Sequence, residues 1–328
     1  MTYIDATHVR TLHKANGMEC LASTIHPSPL FSLELTANYQ TSFQGEVGAD
    51  TFENGIYRRL LEWDNRLLLL SVQEKGCIES SNLEITIVGE KLTPSDLEVA
   101  CRTASHLLAT DLDLRSLEKI TQYDPFLSHL SKKLTGLRPP RMPSIFEGLV
   151  FAISGQQISS NVARQIRTLL VKRFGPSIQY NGKEYHAFPS PQKLIDVGRD
   201  GLQGIKLSRR KAEYILSIAS HALEGELDLD TLRELPNRDI LERLDALPGV
   251  GRWTAEWVLA RAVGRQDIFP AGDLALRRIL STHYFQGYEL SEDEAREFSE
   301  RWGLCRTVVL TYLLAAYRLE QIGKAVAF

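Results

Sequence analysis

A chain of 328 residues has the length of about two ordinary domains, and with 43% apolar and 24% charged residues it can bury a full core, which excludes a disordered or fibrous protein. No stretch approaches the roughly 20 apolar residues of a membrane span, and Met1 to Leu30 lacks an apolar signal core, so a cytoplasmic protein without membrane contact is expected. The net charge of −3 argues against a broad basic field, but residues 1–136 carry 12 Lys and Arg against 18 Asp and Glu, and residues 137–328 carry 26 against 23, so a polyanionic partner would meet the second part through local donors.

The first third reads as strands with at least one helix. Phe31 to Ala37 alternates with period two and reads as a strand. Ile56 to Glu62 and Arg66 to Gln73 flank Trp63-Asp64-Asn65, a hairpin signal, and Asn82 to Val88 is a third alternating run. Thr93-Pro94-Ser95 then starts a helix that places Leu97, Ala100, Cys101, Ala104 and Leu108 at helical spacing. The four cysteines, Cys20, Cys77, Cys101 and Cys305, form no CxxC pair, and free thiols are expected.

After about residue 115 the pattern turns helical. Ile145 to Phe174 holds long apolar runs broken by Gly148 and Gly155, and Ser208 to Glu224 is a helix with a basic start. Ile240 to Leu247, Thr254 to Val263, Asp273 to Tyr284, Ser291 to Arg301 and Val308 to Ile322 continue the series, with Pro- and Gly-based breaks between them and no internal repeat. The expected fold is α+β: a small N-terminal antiparallel-sheet domain with a helix over residues 1–120, then a mostly α-helical domain over 121–328. In the second, residues 145–265 hold the motif described next, and 121–144 with 266–328 form a second helical lobe.

Leu247 to Ala255, reading Leu-Pro-Gly-Val-Gly-Arg-Trp-Thr-Ala, is a tight glycine hairpin opening an apolar helix. Gly249 and Gly251 permit backbone conformations that other residues resist. Uncovered N–H groups at a helix start bind phosphate well, so the hairpin reads as a sequence-independent grip on a nucleic-acid backbone, with Arg252 beside it. Asp273, twenty residues past Trp253, reads equally as the N-cap of the following helix and as an ionised carboxylate poised beside developing positive charge, two compatible roles. Gly155-Gln156-Gln157 ends an apolar helix: a helix junction on physical grounds, or a polar tip able to enter a base stack. Trp253 and Trp257 share one helix face and serve either the core or base stacking, whereas Trp302 reads as structural. The basic tract Lys206 to Lys211 is a solvated helix start or a phosphate contact.

Taken together, Gly136 to Pro140, Phe146 to Ser159, Gly204 to Glu213, Leu247 to Ala255 and Gly272-Asp273 resemble the helix-hairpin-helix DNA glycosylase superfamily, and within it the 3-methyladenine DNA glycosylase II (alkylbase) branch, over about residues 120–325. The resemblance implies base flipping and excision of alkylated purines of the 3-methyladenine and 7-methylguanine type from damaged double-stranded DNA in base-excision repair, by a monomer working at the nucleoid. Asp273 falls on the catalytic aspartate, Trp253 and Trp257 on the base pocket, and Gln157 on the wedge that fills the gap left by the flipped base. Gly249, Gly251, Arg252 and Thr254 fall on the DNA-backbone contacts. Asp245, Leu247 and Val250 fall on residues whose backbone carbonyls hold a Na⁺ or K⁺ ion.

Trp253 also stands where bifunctional relatives carry a nucleophilic lysine, which implies a monofunctional enzyme that leaves an abasic site and needs no cofactor for its chemistry. Leu314, with Tyr312 and Tyr317 nearby, replaces a further pocket tryptophan of the branch. The chain after Cys305 has no cysteine for an iron–sulfur cluster. The alternatives are a glycosylase for 1-methyladenine, hypoxanthine, uracil or an oxidised purine, and a non-catalytic damage-binding module.

Overall fold

Two-residue turns organise the N-terminal third. Asn54 and Gly55 (φ 51° and 74°) and Asp64 and Asn65 (φ 50° and 55°) adopt the left-handed backbone that matches strand twist in a tight hairpin. The computed structural model describes residues 10–15 and 18–321, so Ile322, the expected end of the last helix, lies outside the described residues, as do residues 1–9, 16 and 17 of the Met1–Leu30 stretch. Among the described residues, β1 (Arg10–Ala15), β2 (Met18–Ile25), β3 (Asp50–Glu53), β4 (Ile56–Trp63), β5 (Arg66–Lys75) and β6 (Asn82–Gly89) form one antiparallel sheet in the order β1-β2-β6-β5-β4-β3.

Phe31 to Ala37 is not a strand. Ser32 accepts the Leu35 N–H at 3.2 Å and caps a helix, α1 (Leu33–Thr41), whose Leu33, Thr36, Ala37 and Gln40 are buried at helical spacing. The seven-residue alternation that suggested a strand lacked the partner that a helical face finds here. The helix expected after Thr93 is present as α2 (Pro94–Leu107), where Thr93 and Asp96 form a reciprocal capping box. α1 and α2 cover one face of the sheet, burying Ile25, Tyr57, Leu70, Ile85 and Ile87.

The helical body runs through α3 (Arg115–Thr121), α4 (Pro125–Lys133), α5 (Ile145–Gly155) and α6 (Ser160–Phe174). A hairpin that the sequence reading did not anticipate follows, β7 (Ser177–Tyr180) and β8 (Lys183–His186), turned at Asn181-Gly182. Its Tyr185 packs with Leu60, Leu69 and Val88 on the other face of the sheet. Then come α7 (Pro191–Gln203), α8 (Arg209–Leu223), α9 (Leu229–Arg233), α10 (Asn237–Asp245), α11 (Arg252–Val258), α12 (Leu274–Tyr284), α13 (Glu292–Ser299) and α14 (Arg306–Gln321). α11 continues through one widened turn, residues 259–263, to Gly264 at φ 85°.

α5 is the central helix, buried from Ile145 to Ser154, and its Gly148 sits inside the helix against Ala262 and Val258. A buried ion cluster joins it to the sheet: Arg59 donates to Asp50 at 2.8 Å and to Glu147 of α5 at 2.5 Å. Arg138, fully buried, ties the intervening segment to the carbonyls of Ser28 and Pro29 at 2.8 and 2.9 Å. All four cysteines are free.

Candidate active site

The glycine hairpin joins α10 to α11. The Val250 N–H closes on the Leu247 carbonyl at 3.1 Å, and Gly249 turns at φ 80°. A Cβ on Gly249 would lie 2.1 Å from the ring of Tyr214 on α8, so close approach and backbone conformation both require glycine. Gly251 is the N-cap of α11 and gives it no side-chain cap, while α5, α6, α7, α8 and α12 each start on a Ser or Asp that accepts a first-turn N–H. The first N–H groups of α11 are thus left for an external acceptor. Arg252 is 63% exposed at this rim, its Nε donating to buried Glu256 at 3.1 Å. Thr254 is turned inward, 2% exposed, and its hydroxyl pairs with the Gln156 side chain at 3.2 Å, so it braces the hairpin from behind.

The tip between α5 and α6 lies against this hairpin. A Cβ on Gly155 would come 2.7 Å from a guanidinium nitrogen of Arg167. Gln156 folds back, its Nε2 donating to the Gly249 carbonyl at 3.0 Å. Gln157 projects to solvent from a left-handed backbone (φ 54°), which few residues other than glycine adopt. Ser159 then caps α6.

Asp273 caps α12, its Oδ1 accepting the Ala275 and Leu276 N–H groups at 2.9 and 3.1 Å. Gly272 carries it past α11 so closely that a Cβ there would lie 3.3 Å from the Cβ of Trp253. Capping alone does not set Asp273 apart, because Asp228 caps α9 in the same way. Their environments do. Asp228 is held below the usual carboxylate range by the hydroxyl and N–H of Thr231. Burial pushes Asp273 above that range, opposed by the Leu276 and Ala275 N–H groups and the Arg318 charge. The Trp253 indole nitrogen finds no acceptor within hydrogen-bond geometry.

Arg318, whose charge acts on this carboxylate, belongs to a layer of aromatic rings and arginines from distant segments. Trp257 stacks on Phe151 of α5 with centroids 5.7 Å apart and planes at 6°. Arg167 lies over Phe151 at 3.4 Å. Arg261 is buried among Tyr39, Phe43 and Trp257 at 5.4, 5.3 and 5.8 Å, and Arg318 of α14 lies 3.3 Å over Phe43. Tyr39, Phe43, Arg261 and Arg318 were not anticipated; the four-residue spacing of Tyr39 and Phe43, a helix-face signal, was the available clue. Leu314 and Tyr317 are partly buried against the helical core. Tyr312 is buried, its hydroxyl donating to the Leu137 carbonyl at 3.3 Å, and Trp302 is buried among Phe269, Phe298 and Tyr284, a structural position as expected.

Of the three carbonyls expected to hold a monovalent cation, that of Leu247 already accepts one N–H and keeps a second lone pair. Leu247 and Val250 are buried, Asp245 is exposed at the end of α10, and an all-oxygen donor set of this kind suits a hard cation.

Residues 150–303 match the family model described as HhH-GPD superfamily base excision DNA repair protein. The chain is 32% identical over 203 residues to the DNA-3-methyladenine glycosylase of Bacillus subtilis, covering 62% of this chain and 67% of that protein. It is 28% identical to DNA-3-methyladenine glycosylase 2 of Escherichia coli over 57% of this chain, and it spans only 63% of that relative's length. Its fold is similar to the solved 3-methyladenine DNA-glycosylase from Archaeoglobus fulgidus, with a TM-score of 0.78 and 30% identity over 90% of this chain and 99% of that one.

Proposed function

This chain belongs to the helix-hairpin-helix superfamily of base-excision DNA repair proteins, in its alkylbase DNA glycosylase branch, and from that premise we propose that it is a monofunctional N-glycosylase that excises alkylated purines and leaves an abasic site. The observation that carries the reading is Asp273: a capping carboxylate set against Trp253, whose surroundings raise its pKa where an ordinary cap lowers it.

The α11 start takes a DNA phosphate on its free N–H groups, with Arg252 alongside, and Gln157 enters the stack as the damaged nucleotide swings out. The extruded base stacks on the faces of Trp253 and Trp257. As the N-glycosidic bond breaks, positive charge builds on the sugar. The Asp273 carboxylate stabilises that charge and orients the water that replaces the base. A purine alkylated at N3 or N7 is already cationic and leaves without a strong acid. Trp253 offers no amine, so no Schiff base forms and the strand stays intact. The carbonyls of Asp245, Leu247 and Val250 would hold a Na⁺ or K⁺ ion that adds positive potential at the phosphate. The enzyme acts on double-stranded DNA as a monomer. Among the described residues no helix is long and apolar enough to cross a membrane.

The test is Asp273→Asn on alkylated duplex DNA. Release of 3-methyladenine and 7-methylguanine should fall by about 10²–10³-fold with DNA binding retained; undiminished release would remove Asp273 from the mechanism. Single-lesion duplexes carrying 1-methyladenine, hypoxanthine, uracil or an oxidised purine decide the preferred base. Borohydride trapping of the wild type, or nicking without added base or heat, would overturn the monofunctional assignment.

A further inference from the structure

Two side chains fasten the Gln157 tip to its surroundings from opposite sides. From within the tip, the Gln156 amide donates to the Gly249 carbonyl at 3.0 Å and to the Thr254 hydroxyl at 3.2 Å, one partner on each side of the α11 start. From α8, the Lys211 ammonium donates to the carbonyls of Ser154 and Gln156 at 3.2 and 2.5 Å. Those carbonyls lie where α5 runs out of its own N–H donors, and a cation there satisfies them and complements the helix dipole. α8 also carries Tyr214, whose ring underlies Gly249. Tip, hairpin and α8 are therefore one linked structure, and Gln157 is held at φ 54° inside it. A non-glycine residue stays in that conformation only where its surroundings over-determine it.

We propose that Gln156 and Lys211 are positioning residues that couple the tip rigidly to the hairpin, so that phosphate binding at the hairpin drives Gln157 into the base stack. The proposal rests on the wedge and grip roles given above. Its logic is mechanical. The phosphate contact fixes the hairpin on the DNA, and a tip that could recoil would not transmit that hold to a paired base. The coupling therefore matters most when the lesion is firmly paired and least when pairing is already lost.

The experiment measures single-turnover release of one lesion from two duplexes, one with the lesion paired and one with it opposite a mismatched base. Gln156→Leu and Lys211→Met should slow release from the paired duplex by about ten- to hundredfold and from the mismatched duplex by about twofold or less. Rates are compared at saturating protein, so that any change in affinity drops out, and Lys211→Arg should restore most of the rate. Gln157→Ala, which is exposed and disturbs no packing, should show the same selective loss. Equal loss on both duplexes, or no loss on either, overturns the proposal, as does a selective loss in Gln157→Ala that Gln156→Leu does not share. Wild-type protein that releases no base from either duplex refutes the glycosylase reading instead.

Discussion

The rim of the site and its floor are built by different means. The rim, comprising the Gly249–Gly251 hairpin and the Gln156–Gln157 tip, presents backbone: free N–H groups at an uncapped helix start and a left-handed tip residue. The floor, linked to Asp273 through the charge of Arg318, presents side chains from α1, α5, α11 and α14, with aromatic rings alternating with arginines of which Arg261 is buried. Backbone donors suit a phosphate, which is the same at every nucleotide. Packed side chains suit a base, whose shape must be told apart from others. Under the proposed function the difference gives affinity to the rim and lesion choice and chemistry to the floor, a division tested by breaking each half in turn.

Beyond Asp273→Asn, the largest effect is expected at the rim. Gly249→Ala places a Cβ in the ring of Tyr214 at a backbone angle that alanine resists. A strain of about 1–3 kcal/mol predicts DNA binding weakened by roughly ten- to hundredfold, equally for damaged and undamaged duplex in a titration, with the single-turnover rate at saturation largely kept. A variant that bound normally but lost that rate would dissolve the division of labour. Trp257→Ala tests the floor. Removing about 1–3 kcal/mol of base stacking should slow excision by roughly tenfold or more while affinity for undamaged DNA holds. A loss confined to binding would move Trp257 to the rim.

The same division explains what was legible in the sequence. Rim residues occur in short contiguous runs, so Leu247 to Ala255 disclosed the hairpin directly, whereas Gly155 to Ser159 read first as a helix junction and Asp273 as a helix cap, their further roles being implied only by the resemblance. What that local pattern left out is that Thr254 faces inward and that Gln156, next to the anticipated wedge, reaches the hairpin. The floor draws on residues more than 200 positions apart, and Arg261 meets Tyr39 only after the chain folds. Reading Phe31 to Ala37 as a strand removed the helix that delivers Tyr39, because alternation over seven residues does not separate a half-buried strand from a short amphipathic helix. The hairpins turned at Asn54-Gly55 and Asn181-Gly182 are present but were not read from the sequence, although Asn-Gly is a strong hairpin signal. The buried Arg59–Glu147 pair was out of reach, since no local pattern says which charges will meet.

The smallest effect expected is also the sharpest test of the floor. Arg318 is half-buried, its pKa lowered to about 10 chiefly by desolvation, so it stays charged at neutral pH. That charge is one of the influences holding down a carboxyl that burial pushes up. The proposed mechanism requires the ionised Asp273, so the excision rate should fall as pH drops through the Asp273 pKa, at a higher pH than an ordinary carboxylate would give. Arg318→Gln removes the opposing charge, raises that pKa further and should move the acid limb of the single-turnover rate to still higher pH. Arg318→Lys keeps the charge but loses the flat contact with Phe43, so it should leave the limb close to its wild-type position even if the plateau rate drops. A pH–rate profile of the three proteins separates the two contributions. An unmoved limb in Arg318→Gln would show that the arginine acts through packing alone, and the floor would then owe its electrostatics to burial and the α12 N–H groups.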